Sequence, residues 1–394
     1  MGNRNYRLYF IDAIRAWAIL MMLQGHFIDG LLDDVFRNDN NLIYSIWKYF
    51  RGITAPVFFT VSGFIFTYLL IKVPLKGFEN PRIKKGLKRG IELLIIGYLL
   101  RINFLGLLKA ELYSSFYLVD VLHCIGLSII IIIGIYLLVQ NGKKYLFPLL
   151  LLTITGLLFI FEPHYKEWNF EGLPVGLANY FTKENGSVFT IIPWLGYTTF
   201  GAFLSVLFTR FKTHKFLYEY AILLCLITGI TLIFLSSDFF LILNDISGRT
   251  LFKAIASNNY LIIRLGDVFI VFALFMVFRK ALNNVTFLKI GQSTLSIYVI
   301  HFIILYGSFT GLGLYRFFNH ELNPIFTILG AIVFMITCSF LALQYEKNKL
   351  KIKSSISLLI RFALSYLARV YIIAFKYVRV NLLKFSQLFK FLKS

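Results

Sequence analysis

Ten stretches of this chain are each apolar over close to the ~20 residues an α-helix needs to cross the hydrocarbon core of a bilayer. They cover about residues 8–31, 44–71, 84–105, 116–139, 145–161, 188–209, 216–235, 259–278, 287–310 and 323–343. Lipid offers no partner to an unpaired peptide group, so such runs fold as helices and not as open strands. The sequence therefore predicts an all-α polytopic membrane protein with about ten spans. Composition agrees: 58% of residues are hydrophobic and 15% are charged, against roughly 25% charged in soluble domains. No secretory cleavage pattern is visible, and the first stretch reads as a true span carrying polar residues rather than a removable leader. Cys124, Cys225 and Cys338 all sit inside apolar stretches, which gives neither a disulfide framework nor a CxxC metal site.

The formal net charge is +21. In a soluble chain that would suggest nucleic acid; here no nucleic-acid partner is expected, and the question is which connections hold the charge. One alternate set carries twenty-seven basic residues: Arg4 and Arg7, the run from Lys72 to Arg89, Lys143 and Lys144, Arg210 to Lys215, Arg279 and Lys280, and the tail beyond residue 345. The other set carries seven, namely Arg37, Lys109, Lys166, Lys183, Arg249, Lys253 and Arg316. The positive-inside rule then places a multi-pass protein in the cell membrane with both termini cytoplasmic. Residues 1–345 read as one transmembrane domain and 346–394 as a basic cytoplasmic tail. The stretch 355–375 is apolar enough for an eleventh span, but Arg361 and Arg369 in its middle favour an amphipathic helix lying on membrane lipid.

Charges inside spans are costly, face the protein interior and often mark function. The first span runs "RAWAILMMLQGH" from Arg15 to His26. Eleven residues make three turns plus about 20°, so both ends share one face some 16 Å apart along the axis. Asp12, three residues before Arg15, is placed to pair with it. With the orientation above, Arg15 lies toward the cytoplasm and His26 toward the outside. At the level of His26 the topology also places Arg51, Arg101, Asp120, His123, Arg264, Asp267, Tyr298 and His301, from five other spans, with Ser62 deeper. Scattered structural ion pairs need not agree in depth, so the convergence predicts a polar chamber opening outward. Each residue also has a plainer reading. His123 and His301 read first as hydrogen-bond partners, Arg264 with Asp267 as a helix-locking pair or a substrate contact, and Ser62 with the following glycine as close helix packing. Pro56 suggests an irregular helix start. No HExxH or comparable spacing points to a metal.

Arg15, ten intervening residues and His26 form an R-x10-H pattern that resembles the signature of the acyltransferase-3 family of transmembrane acyltransferases. "APVFFTVSGFIF" (55–66) looks like that family's F-x-x-SG segment. "VDVLHCIGLSI" (119–129) and "TIIPWLGYTTFGAFL" (190–204), which contains Trp194, resemble the related heparan-α-glucosaminide N-acetyltransferase-like catalytic domain. "IGQSTLSIYVIH" (290–301) is similar to the late G-x-x-SL-x-IY-x-x-H segment of the broader superfamily. The resemblance runs in order over residues 7–310 and does not extend to the basic tail. It implies transfer of an acyl group, with acetyl expected, from cytoplasmic acyl-CoA to a hydroxyl or amine on the other side of the membrane. It also implies a catalytic role for His26 together with the motif residue Arg15; the absence of metal-ligand spacing gives the expectation of no metal cofactor. Donor or acceptor binding is assigned to Asp12, Arg51, Ser62, Asp120, His123, Trp194, Tyr298 and His301, and, from depth alone and not from the resemblance, to Arg101, Arg264 and Asp267. The expected partners are the acyl-CoA donor, a glycan or lipid-linked sugar acceptor, and membrane lipid, with homo-oligomerisation left open.

Two other functions compete at this stage. A transporter of a small anion or amphiphile would also need intramembrane charges and a polar cavity, although no inverted repeat is evident. A non-enzymatic scaffold would use the basic tail alone. For an acyltransferase the acceptor has to be read by helix ends and the two longer outer connections, 162–187 and 236–258. The first contains "EPHYKEWNFEGLP", whose aromatic residues suit sugar stacking or an interfacial belt equally.

Overall fold

The computed structural model describes residues 8–110 and 113–391; Arg4 and Arg7 lie outside them. The described residues are helical without a named strand, and the only ladder contacts are the isolated bridges Leu32–Leu322 and Asn103–Phe309. The chain divides into two units, Met1–Leu341 and Ala342–Ser394.

The first unit holds the long helices α1 (Tyr9–Leu31), α2 (Leu42–Ile71), α3 (Pro81–Leu100), α4 (Val121–Val139), α5 (Leu146–Ile160), α6 (Ile191–Phe211) and α7 (Leu217–Phe234). A helical hairpin, α8 (Ser236–Ser247) and α9 (Thr250–Ser257), leads into α10 (Tyr260–Val277). Then comes a span bent by 69°, built of α11 (Val285–Gln292) and α12 (Thr294–His301), the latter continuing as a π-turn over Phe302–Tyr306. The last helix, α13, runs Pro324–Phe391.

Seven of the described helices are long and apolar enough to cross a bilayer, and eight if the bent pair counts as one span. The sequence predicts ten. The difference lies in α3, whose first half carries Arg82, Lys84, Lys85, Lys88 and Arg89, and in α5, which at 15 residues spans only about 22 Å. The break predicted after residue 343 is not a helix end, since α13 continues through the basic tail.

Local chemistry sets several starts. Asn41 accepts the backbone N–H groups of Ile43 and Tyr44 at the start of α2. Asn80 caps α3 ahead of Pro81, which suits the first helical position, and its amide also donates to Leu70 O, tying α3 to the end of α2. Asp120 and His123 form a capping box on α4. Pro56 does not mark a start. It lies inside α2 and removes the donor that would pair with the Gly52 carbonyl.

Small residues bring the helices together. A Cβ on Gly63 would overlap the Thr198 carbonyl oxygen and one on Gly201 the Thr60 carbonyl oxygen, so α2 and α6 cross backbone to backbone. Gly291 meets the Asp12 carbonyl in the same way, which seats α11 on α1. Around these contacts Ile14, Val57, Val61, Phe64, Phe272 and their neighbours form the main apolar cluster. In the second unit the described side chains between residues 354 and 378 are exposed, including Leu358, Leu359 and Phe362.

Candidate active site

The helix α1 and the bent span lie side by side and parallel. At one end Arg15 Nη2 donates to Thr294 Oγ1 at 3.0 Å and Arg15 Nη1 lies 3.6 Å from Asp12, which itself accepts from Gln292 Nε2 at 3.3 Å. Three turns further along α1, His26 Nδ1 meets Tyr306 Oη at 2.7 Å. Thr294 and Tyr306 belong to the same span, so both ends of the R-x10-H pattern face one neighbour, as helical phase predicts.

Around His26 the structure gathers polar groups from several elements. The His301 ring lies 5.4 Å away and is fully buried, with no hydrogen bond of good geometry to either nitrogen among the described residues. Tyr298 packs on His301 at 4.8 Å. Asp29, one turn beyond His26, accepts from Arg51 at 2.6 Å and from Arg37 at 3.4 Å. Arg101 pairs with Asp120 at 3.0 Å. The charges of Asp120, Arg51 and Asp29 are all within electrostatic range of His26, and that of Asp120 also reaches Tyr298 and Tyr306. On the flank, Arg264 pairs with Asp267 at 2.9 Å and lies over the Tyr49 ring at 4.3 Å, while the Tyr49 hydroxyl donates to Asp267 at 2.9 Å. The Arg264 guanidinium also lies against Gly52, so close that a Cβ there would come within 2.6 Å of its Nη2. Arg264 thus lies against the residue whose carbonyl Pro56 leaves without a helical donor.

Three residues singled out in the sequence sit elsewhere. His123 Nδ1 accepts the Asp120 backbone N–H at 3.1 Å and the ring packs 4.3 Å from Tyr98, so it closes the start of α4, while its buried Nε2 has no hydrogen bond among the described residues. Trp194 belongs to an aromatic cluster with Phe59, Phe189 and Tyr197, because the start of α6 packs on α2 there. Ser62 donates to its own helix at Phe58 O, 2.7 Å away. It lies eleven residues along α2 from Arg51, which touches Gly25, and is therefore level with Arg15 rather than His26.

Asp29, Arg37 and Tyr306 join the site without having been singled out. Asp29 had a signal, since i+3 places it on His26's face. Arg37 reaches the site from the connection after α1, where Arg37 and Asp34 also contact His320 at 2.7 Å and 2.6 Å. Tyr306 had none: five residues past His301, it would point away in a regular helix, and the π-turn brings it round.

The connection 162–190 is held by buried polar groups. Asn179 donates to Tyr117 O at 2.8 Å, and Ser187 accepts from Val119 N at 3.0 Å. Phe170 is stacked on Phe181 within this segment, and Trp168, against Tyr165 and Phe170, is more exposed than Phe181.

A bundle of apolar helices long enough to cross a bilayer, with a histidine set among charged groups at one end, has the architecture of a multi-pass membrane protein. A model of the acyltransferase-3 family, described as an acyltransferase domain, matches residues 8–344. The chain therefore belongs to that family and is a membrane acyltransferase. A comparison with curated proteins finds no match.

Proposed function

We propose that the protein moves an acyl group, acetyl in the simplest case, from cytoplasmic acyl-CoA to a hydroxyl or amine of an extracytoplasmic glycan or lipid-linked sugar. The cell membrane is its location and both termini are cytoplasmic. The observation that carries this reading is the His26–Tyr306 contact set among Asp29, Arg51, Asp120 and His301. If Nδ1–H donates to the Tyr306 oxygen, Nε2 keeps its lone pair and is the base. His26 then removes the proton of the acceptor hydroxyl as its oxygen attacks the thioester carbonyl. The tetrahedral intermediate collapses with breakage of the C–S bond, the new C–O bond remains, and the proton passes from imidazolium to the leaving thiolate. Arg51, whose charge reaches His26, is assigned to stabilise the developing oxyanion. Arg15, held by Asp12 and Thr294 some 16 Å lower, is assigned to the donor. Trp168, an exposed aromatic of the 162–190 connection, is assigned to stack on a sugar ring.

The test uses membranes containing the full-length protein and labelled acetyl-CoA, with cell-envelope glycans analysed by mass spectrometry. His26→Ala is expected to reduce transfer by about 10²–10⁴-fold at unchanged expression, the range a general base supplies. Unchanged transfer would remove His26 from the chemistry, and the absence of any label in wild type would redirect the search to another acyl donor.

A further inference from the structure

At the Arg15 end of the bundle, away from the His26 ring, α6, α7 and α10 enclose a groove of about 560 Å³. Its floor is Phe64, Phe208 and Phe272, and its walls include Leu217, Ala221 and Thr228. The lining is apolar almost throughout, with His214 at one extremity. None of these groups takes part in the acyl-transfer reading.

Three observations say what the groove is built to take. Its length is set by α7: from Leu217 to Thr228 is eleven residues, about 16 Å of helix, and one leaflet of a ~30 Å hydrocarbon core is about 15 Å deep. Its open extremity lies at the end of α6 and the start of α7, where helix ends meet the membrane surface. That extremity is basic: Arg210, Lys212, His214 and Lys215 are all exposed there within six residues. Lys212 and Lys215 are in no ion pair among the described residues, and Arg279 nearby is held by Glu219 at 3.9 Å and by the Tyr218 ring at 4.2 Å. Lys215 lies over the Phe216 ring at 5.3 Å, which leaves its charge without an acidic partner. An apolar slot one leaflet deep, with cations not neutralised by described acids at its surface end, matches an acyl chain whose headgroup is negative.

We infer that this groove is a binding site for an anionic phospholipid of the surrounding membrane, one acyl chain lying between α6, α7 and α10 and the headgroup phosphate facing Lys212 and Lys215. The site does not depend on the acyl-transfer reading.

Native mass spectrometry of the delipidated full-length protein tests it, with titration by phosphatidylglycerol and by phosphatidylcholine carrying identical chains. Wild type is expected to retain phosphatidylglycerol at least about tenfold better than phosphatidylcholine. Ala221→Trp and Thr228→Trp, each filling the slot, are expected to lose one bound lipid while eluting as folded protein. Lys212→Gln with Lys215→Gln is expected to bring the two lipids to within about twofold of each other. Equal retention of both lipids by wild type would overturn the inference. So would full retention by both tryptophan variants, which would assign the bound lipid to the basic tail. If one tryptophan variant fails to fold, the other and the lysine pair still decide.

Discussion

Replacing Tyr306 by Phe removes one oxygen atom from the candidate site and little else. The ring stays packed between Phe302 at 5.0 Å and Tyr315 at 5.9 Å. The backbone that carries it is fixed independently: the π-turn ends at Gly307 with φ +70°, and Phe309 exchanges backbone hydrogen bonds with Ile102 and Phe104 at 3.0 and 2.9 Å. What is lost is the 2.7 Å contact to His26 Nδ1. A buried group deprived of its partner costs about 1–3 kcal/mol, and the half-buried setting of both side chains places this one at the lower end, about 1–2 kcal/mol. At 1.36 kcal/mol per tenfold, the expected loss in kcat is roughly 5- to 30-fold. That is smaller than the loss from His26→Ala, because the imidazole remains and only its orientation and tautomer are released. KM for the acyl donor should hold, since the donor is assigned to Arg15, three turns away. The assay is transfer from labelled acetyl-CoA in membranes, with kcat and KM determined separately and normalised to folded protein. A Tyr306→Phe protein whose kcat stays within twofold of wild type would refute the idea that this phenol holds the base.

Three further outcomes can be checked. Gly63→Ala and Gly201→Ala should each destabilise the α2–α6 crossing by about 1–3 kcal/mol, because the added methyl meets backbone rather than a movable side chain; unchanged melting of both variants in detergent would contradict that crossing. The hydrogen bond from His320 holds the Asp34 carboxyl below its ordinary range, with smaller help from Arg37. A carboxyl whose pKa is lowered by folding contributes stability above its unfolded pKa and loses it as pH falls through the folded value. The hydrogen-exchange protection of residues 33–37, corrected for the intrinsic pH dependence of amide exchange, should accordingly fall only on acidification below the usual carboxylate range, and Asp34→Asn should abolish that loss. Finally, a reporter fused after Ser394 should behave as cytoplasmic, and an extracytoplasmic signal there would reverse the assigned orientation.

The spans were legible because lipid leaves so few options: each apolar run of sufficient length became a helix, and the parallel course of α1 and the bent span follows from counting crossings. What misled were positions where a local rule met a tertiary context. Pro56 reads as a boundary because proline lacks a donor, yet α2 continues through it, and the residue whose carbonyl loses its partner is the one against which Arg264 lies. Residue 343 reads as the end of a span because the following residues are basic, but charge does not stop a helix that contains neither proline nor glycine, and α13 has none from residue 331 onward.

The site was legible to the extent that regular helical phase governs it. Arg15 and His26 lie on one face of α1 because eleven residues return nearly to the same angle, and Thr294 and Tyr306 on the facing span contact them in turn. Depth within the membrane, deduced from charge alternation, also anticipated that Arg51, Arg101, Asp120, Tyr298 and His301 would gather near His26. Depth says nothing about azimuth, however. His123 shares the level of Asp120 but turns toward Tyr98, and Trp194 turns toward Phe59. Tyr306 is the converse case. Its azimuth depends on i→i+5 spacing, and a one-residue change in helical period is invisible to any pattern written for 3.6 residues per turn. A π-turn costs regular hydrogen bonding and is found disproportionately at functional sites. Here it ends on the residue that touches His26, so the irregularity that hid Tyr306 from the sequence is itself a reason to test it first.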